Sequence, residues 1–271
     1  MMRGMFAAIS GLRVHQMMLD VTANNIANVN TIGYKGERVS FKDTLWQMQK
    51  GAGAPSAALG GTNAEQVGLG VQMNSIDNVM GSGAIQSTGN TFDLAIQGQG
   101  WFQVSADPAN AASPISYTRS GNFTRDANGD LVNPEGYYLV GNQGAGNVKI
   151  NVPANAQSVS VDSAGVVTII PAAGPPATTY NIQLAKFANE NGLVRVSGNR
   201  FATSNNSGAA TVANAGTPGY GTLAPGTLEM SNVDLAQEFT SMITAQRGFQ
   251  AVSRVISTAD DVLQELVNLK R

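Results

Sequence analysis

Cysteine is absent from this 271-residue chain, histidine occurs once, and only 13% of the residues are charged. The missing cysteine excludes a disulfide framework, thiolate metal sites and a cysteine nucleophile. One histidine, His15, leaves no room for a His-rich metal cluster and removes most imidazole catalysis. A formal net charge of −2 carries no electrostatic footprint for nucleic acid, and none is expected as a partner. Long apolar runs are missing as well. None reaches the roughly 18 residues that a membrane-spanning helix needs, so no membrane insertion is expected. The start, Met1-Met2-Arg3 followed by Met5 to Leu12, imitates a signal peptide. Ser10 and Gly11 interrupt its apolar part, and no small-residue cleavage site follows. An amphipathic helix beginning near residue 2 accounts for it better. Soluble domains usually carry about 25% charged residues. A chain so poor in charge, 42% hydrophobic and holding 31 glycines, covers itself with Gly, Ser, Thr, Asn and Gln. Such a surface suits packing against copies of itself.

The two ends are alike and differ from the middle. Near the N-terminus, apolar residues recur every three or four positions: Met2, Met5, Ile9, Leu12, Leu19, Ala23 and Ile26, with Gln16 the one polar member. That is a heptad seam. Phe6, Ala7, Ala8, Val14, Met17, Met18 and Val21 make the other faces apolar too, and Arg3, Arg13 and Asp20 are the charges between residues 2 and 30. A helix apolar nearly all round must be covered on more than one side. The C-terminus repeats the pattern with Leu235, Phe239, Met242, Gln246, Phe249, Val252, Ile256, Ala259, Leu263 and Leu266. Its spacing slips once, at 246–249–252, which predicts local overwinding. Ser231 or Asn232 is the expected N-cap; Asp234 and Glu238 complement the helix dipole at that end, Lys270 and Arg271 at the other. His15 is expected to face a partner or the surface.

Gly33, Lys35 and Gly36 are expected to end the first helix, and the uncharged stretch 51–62 (GAGAPSAALGGT) reads as a connector. From about 70 to 225, short apolar runs alternate with turn signals. The runs are 94–96, 101–104, 131–132, 137–140, 148–150, 159–161, 166–170 and 183–187; the turns include Asn128-Gly129, Pro134-Glu135-Gly136 and Asn191-Gly192. Strands recurring at about ten-residue spacing predict an antiparallel β-domain. The fold class is therefore α+β, ordered helix, β-domain, helix. The expected divisions are 1–33 for the N-terminal helix, 34–69 for an extended connector, 70–226 for the β-rich domain and 227–271 for the C-terminal helix.

Candidate chemistry is thin. Asp126-Ala-Asn128-Gly-Asp130 opens like a calcium loop but has Leu131 and Tyr137 where an EF-hand needs Gly and Glu. It reads as a hairpin with an Asn-Gly turn. Gly98-Gln-Gly100 and Gly68-Leu-Gly70 are lone glycine pairs, without the further residues a nucleotide cradle requires. Asp93, Asp126, Asp130, Glu135 and Asp162 each lie beside turn residues, the usual place of solvated carboxylates. Trp101, Phe102, Tyr137 and Tyr138 read as core rather than as a sugar-stacking platform. No catalytic residue, cofactor or metal ligand is expected.

Four segments resemble the bacterial flagellar rod and hook proteins. They are Asn24-Asn25-Ile26-Ala27-Asn28-Val29-Asn30-Thr31 with Gly33-Tyr34-Lys35; Phe92 to Phe102; Tyr117 to Phe123 with Asp130-Leu131-Val132 and Gly136-Tyr137; and Leu228 to Leu235, running into Ala245-Gln246-Arg247-Gly248-Phe249. Within the family, Gly60 to Gly70 and the ending Leu263 to Arg271 look most like the short hook proteins of Gram-positive bacteria; distal rod proteins, close to this length, are the alternative. The resemblance implies terminal helices paired as a coiled coil inside a helical homopolymer. Met5, Ile9, Leu12, Leu19, Ile26, Leu235, Phe239, Met242, Phe249, Ile256, Leu263 and Leu266 would then serve self-assembly, with Asn24, Asn25, Ala27, Asn28, Gly33, Ser231, Asn232 and Val233 as the family motif. It also implies export without a cleaved signal peptide through the flagellar export apparatus. The implied partners are further copies and the rod, hook-cap and hook–filament junction proteins, and the implied role is a flexible coupling that transmits motor torque. The implied location is extracellular for a hook, or the basal body.

Overall fold

The computed structural model describes residues 2–55, 60–110, 113–144, 146–172 and 178–269. They fall into two compact units: the chain up to Ala27 with Glu37–Asn78 and the residues from Asp234 on, and Asn28–Gly36 with Val79–Val233. The pattern is α+β, with a helix near each end and an antiparallel sheet domain between them.

The first unit contains α1 (Met2–Ala27) and α2 (Leu235–Asn268). Helix α1 stops at Ala27 rather than at Gly33. The Asn-rich stretch turns the chain instead: the Asn28 carbonyl accepts from Thr31 N, and its Oδ1 accepts from the Thr31 hydroxyl. Helix α2 is capped by Asp234, whose carboxylate accepts from Ala236 N and Gln237 N; Ser231 and Asn232 lie outside it. The shift of one turn follows from what each side chain can reach, since the Asn232 amide is occupied elsewhere. Lys270 and Arg271 lie outside the described residues.

The helices pack antiparallel. Gly11 faces Val252, His15 lies on Gly248, and Asn25 Nδ2 donates to Glu238 Oε1 (3.1 Å). All three pairs share one register. The covered residues on α1 are Ala8, Gly11, Val14, Thr22 and Asn25, with His15 and Met18 half-buried. This seam lies one position away from the expected one: Ile9, Gln16 and Ala23 are exposed, and Met5, Leu12, Leu19 and Ile26 are half-buried. Small residues face α2 because they let the two backbones approach, whereas a seam chosen on apolarity alone selects the larger neighbours. On α2 the covered or half-covered positions are Glu238, Met242, Ala245, Phe249, Val252, Ile256, Ala259 and Leu263. That run keeps a three–four spacing throughout. The expected slip disappears because Leu235, Phe239 and Gln246 are exposed and belong to another face. His15 is therefore an interhelical residue rather than a surface one.

Between the helices in sequence lies a long ribbon. Strand β1 (Glu37–Asp43) pairs with β4 (Val71–Asn78), and β2 (Trp46–Lys50) with β3 (Glu65–Gly68), both antiparallel. Gly53 and Thr62 extend the pairing toward the tip. Residues 34–69, expected as an extended connector, thus hold three strands. Of the 51–62 stretch, residues 56–59 lie outside the described residues. The ribbon's alternation, as in Trp46-Gln47-Met48-Gln49, is itself a strand signal, but no dense apolar run marks it. Ser10 Oγ accepts from Val71 N, which ties α1 to the ribbon.

The second unit is built from short strands: β5 (Ile85–Ser87), β6 (Leu94–Gln97), β7 (Trp101–Ser105), β8 (Ile115–Thr118), β9 (Thr124–Arg125), β10 (Leu131–Val132), β11 (Tyr138–Asn142) and β12 (Asn147–Lys149). There follow β13 (Ala156–Val161), β14 (Val166–Pro171), β15 (Thr178–Lys186), β16 (Val194–Val196), β17 (Arg200–Ala202), β18 (Thr211–Asn214), β19 (Thr222–Pro225) and β20 (Thr227–Glu229). The main sheet runs in the order β13-β14-β15-β11-β7-β8-β17-β16, and β15 also reaches β7. Strand β7 lies buried on both faces. Alternation sends Phe102 and Val104 into one core with Phe123, Leu139, Ile150 and Leu184, while Trp101 enters a second with Tyr117, Phe187, Leu193 and Phe201. Edge-to-face ring pairs knit both cores: Trp101 with Phe201, Phe102 with Phe123, and Tyr117 with Phe187. Each predicted apolar run falls on a strand or beside one. Missed were β5, β8, β16, β17, β18 and the closing pair β19 and β20, all short and interrupted by polar residues.

Candidate functional site

The second unit contains a buried clasp made from four segments that are remote in sequence. Glu229, at the end of β20, points its carboxylate at two cations. Oε1 accepts from Lys35 Nζ (2.7 Å) and from the backbone N–H of Gly83 (2.9 Å), and Oε2 from Arg119 Nη1 (3.3 Å). All three charged side chains are almost fully buried. Lys35 also donates to the Gly81 carbonyl, and Arg119 Nη2 donates to the Gly98 carbonyl while its guanidinium lies 5.4 Å from the centre of the Trp101 ring. Burial holds the Lys35 ammonium below its ordinary titration range, and the Glu229 carboxylate opposes that shift. Two cations on one carboxylate leave an excess of positive charge, so the carboxylate is the member the cluster can least spare.

Backbone bonds gather the same segments. Glu229 O accepts from Gly33 N, Met230 N donates to Ala84 O, and Val79 N donates to Gly36 O. Asn232 accepts from Gly36 N and donates to the carbonyls of Val79 and Gly81. From the sheet side, Arg195 Nη2 donates to Lys35 O (2.6 Å) and Asn199 Nδ2 to Ile32 O (2.6 Å). Gly33 has φ +67°, and a Cβ there would lie 2.5 Å from Ser120 N. Only glycine fits that backbone and that space. The segment 32–36 therefore has no regular secondary structure, yet it is fastened along its whole length.

In the first unit, Asn25 performs a related task. Its Oδ1 accepts from Glu37 N (2.9 Å) and its Nδ2 donates to Glu37 O (2.8 Å), so one amide grips both polar groups of a single residue. Burial raises the carboxyl titration of neighbouring Glu238, and the Asn25 hydrogen bond counters the rise. Of the remaining motif residues, Gly33 and Ser231 are buried, Asn28, Asn232 and Val233 are half-buried, and Asn24 and Ala27 are exposed. Ser231 Oγ accepts from Val233 N. The structure thus gathers Gly33 and Asn232 into the clasp, and Asn25 into a separate contact. Among the helix residues, Met242, Phe249, Ile256 and Leu263 are half-buried on α2; the Leu266 side chain lies outside the described residues.

Lys35, Arg119 and Glu229 all fall within the segments singled out in the sequence, yet none was read as paired. A signal was available: in a chain with 13% charge, three charged residues embedded in apolar boxes are conspicuous. Arg195 carried no such signal. In β16 it lies between Val194 and Val196, both exposed, so the strand inverts the usual rule of polar residues outward. The candidate carboxylates serve turns and pairs. Asp126 Oδ1 accepts from Asn128 N and Asp130 N, closing the expected hairpin between β9 and β10; Asp93 accepts from Thr88 and Asn90, and Glu135 from Arg200. Trp101 and Phe102 are core, whereas half-buried Tyr137 and Tyr138 lie beneath Arg200 and Lys149.

Large apolar surface remains open on the first unit. Leu45, Trp46 and Met48 on the ribbon are 57–78% exposed, and Phe6 on α1 is 65% exposed. A helix pair, an antiparallel ribbon and a clasped β-domain make up the chain. Comparison with known proteins places it more closely. Residues 5–35 match the family "Flagella basal body rod protein", residues 95–169 "Flagellar hook protein FlgE/F/G D1 domain" and residues 224–269 "Flagellar basal body rod FlgEFG protein C-terminal". The chain is 48% identical over 272 residues to the flagellar basal-body rod protein FlgG of Bacillus subtilis, covering 100% of both chains. It is 39% identical to the FlgG of Agrobacterium fabrum, covering 96% of this chain and 97% of that one. The flagellar hook protein FlgE of Borreliella burgdorferi is 27% identical in an alignment of 446 positions that covers 100% of both. The chain belongs to the flagellar rod and hook protein family, whose members are structural components of the bacterial flagellum. Among these relatives, the rod proteins rather than the hook protein show the higher identity, which reverses the preference for a short hook protein drawn from the sequence.

Proposed function

We propose that this chain is a subunit of the flagellar rod, in its distal part, where a rigid drive shaft carries motor torque. The observation that carries this reading is the full-length match to rod proteins at up to 48% identity. The hook relative supports it by contrast, since its alignment of 446 positions includes long segments without a counterpart in this 271-residue chain.

The rod would be a helical homopolymer joined to neighbouring rod and hook components. Its subunits would be delivered by the flagellar export apparatus without a cleaved leader, to the basal body. In this reading α1 and α2 form a coiled coil through Met242, Phe249, Ile256 and Leu263, as their shared three–four spacing supports. Met5, Ile9, Leu12, Leu19, Ile26, Leu235 and Phe239 fall outside that seam and would face other copies. An isolated two-stranded ribbon is marginally stable in water, so Leu45, Trp46 and Met48 would likewise be covered in the polymer. Contacts of this kind between unlike surfaces build open helical assemblies rather than closed rings.

The test is the position of epitope-labelled protein in isolated hook–basal bodies, in a host lacking its own copy. Label on the rod, inside the envelope, supports the reading. Label on the curved external segment overturns it in favour of the hook.

A further inference from the structure

Heptad seams are repetitive, so two helices can slide by seven residues and still match apolar positions. A chain whose helices meet many identical helices needs something that marks the correct pairing. The small residues in the seam are arranged for that purpose. Gly248 sits near the middle of the 34-residue α2, where glycine is a poor helix former. A Cβ there would overlap the His15 ring, with Nε2 at 2.6 Å and Nδ1 at 2.8 Å. One turn further along, the sizes are exchanged. Gly11 is the small member on α1, where a Cβ would reach the two γ-carbons of Val252 only at the ordinary contact distances of 3.6 and 3.9 Å, so Val252 lies over Gly11 with room for a methyl to spare. His15 on Gly248 is therefore the tight knob and hole, and Val252 over Gly11 is its looser counterpart in the neighbouring layer.

We infer that His15–Gly248 is a size key, seconded by the looser Gly11–Val252 contact, that pins the antiparallel pairing of α1 and α2 of the same chain in one register. A slide of one heptad removes both matches. His15 would then face Ser241 or Val255, and Gly11 would face Ala245 or Ala259. In either direction the His15 ring meets a residue that carries a Cβ, where glycine alone leaves it room, and the space over Gly11 widens because alanine takes the place of valine. Both underfilling and overpacking a seam are unfavourable. His15 acts by shape: its Nδ1 is buried without a hydrogen-bond partner among the described residues. This deepens the rod reading, since the key sorts a subunit's own helix from those of its neighbours, but it concerns the chain itself.

The absence of cysteine makes the test clean. Met18→Cys and Ala245→Cys lie one further turn along the same register, and their oxidative crosslinking in the purified full-length protein reports it. The expected disulfide forms within one chain. Gly248→Leu slows its formation about tenfold, the factor that about 1.4 kcal/mol produces, although leucine is the better helix former. Adding His15→Ala to Gly248→Leu exchanges knob and hole and restores the parental rate. Circular dichroism on each variant shows helix content retained. Crosslinking of Gly248→Leu at the parental rate, a disulfide bridging two copies, or failure of His15→Ala to restore it overturns the key. None of these results depends on where the protein sits in the flagellum, so failure of the rod reading and failure of the key are distinguishable.

Discussion

Glu229→Gln should be the most damaging single isosteric change in the β-domain. It keeps the side chain's shape and one acceptor oxygen but removes the charge that Lys35 and Arg119 share. Breaking a buried ion pair from one side costs about 3–5 kcal/mol, because the remaining charge stays buried without compensation. Here two cations are stranded, while the retained oxygen can still accept from Gly83 N. The lower end of that range is the appropriate figure. About 3 kcal/mol corresponds to a Tm decrease of about 6–12 °C for a domain of this size. The assay is urea unfolding followed by fluorescence of Trp101, which is fully buried beneath Arg119. Trp46→Phe in the background removes the second indole, which is exposed and in the other unit. The triple variant Lys35→Met/Arg119→Met/Glu229→Met controls for charge, since it removes all three ions together. It should recover part of the loss but not all, because the Gly83 N–H and the Gly98 carbonyl lose their partners, at about 1–3 kcal/mol for each unsatisfied group. A loss below about 1 kcal/mol for Glu229→Gln would refute the view that the carboxylate holds the clasp together.

Alkaline titration should show two opposed effects on the stability of the β-domain. Lys35 titrates below 10.5 when folded, so the unfolded chain binds more protons in the window beneath 10.5 and stability rises with pH there. Tyr117 titrates above 10.0 when folded, through burial, so the folded chain holds more protons above 10.0 and stability falls with pH beyond it. Urea midpoints across this range should pass through a maximum that Lys35→Met removes on the rising side. Gly33→Ala should destabilise the same domain by about 1–3 kcal/mol, through a left-handed backbone aggravated by the overlap with Ser120; an unchanged urea midpoint would contradict it. Asn25→Ala should release the Glu37 amide in the first unit. Hydrogen exchange at Glu37 rising at least tenfold, without change at Trp101, would bear this out.

How much of the protein was legible varied by residue. The spacing of Phe249, Val252, Ile256, Ala259 and Leu263 coincides with half-buried positions, since large apolar side chains mark that face of α2. On α1 the same rule selected Ile9 and Leu12, whereas the helix turns Ala8, Gly11 and Thr22 toward its neighbour. Close approach of two backbones requires small residues, and no scale of apolarity reports that. The strands around Trp101 and Phe102 stood out as dense apolar runs between glycines. The ribbon of residues 37–78 did not, because its apolar residues, such as Trp46 and Met48, stand singly between polar ones instead of in a dense run. In the clasp, the boxes located Gly33, Asn232 and Glu229 without their pairings, since partners such as Lys35 and Glu229 lie far apart in the chain.

By itself, the sequence determined the class of the protein: two apolar helices flanking an antiparallel β-domain, no thiol chemistry, and the boxes of a flagellar rod and hook family. Those properties follow from local periodicity and composition, which act within a few residues of the chain. Only the tertiary structure decided which helix face meets which, why Asp234 rather than Ser231 caps α2, and that Lys35, Arg119 and Glu229 close on one another. These depend on residues brought together by the fold, where burial turns a scarce charge into a strong constraint and makes the absence of a side chain at Gly248 or Gly33 as informative as the presence of one.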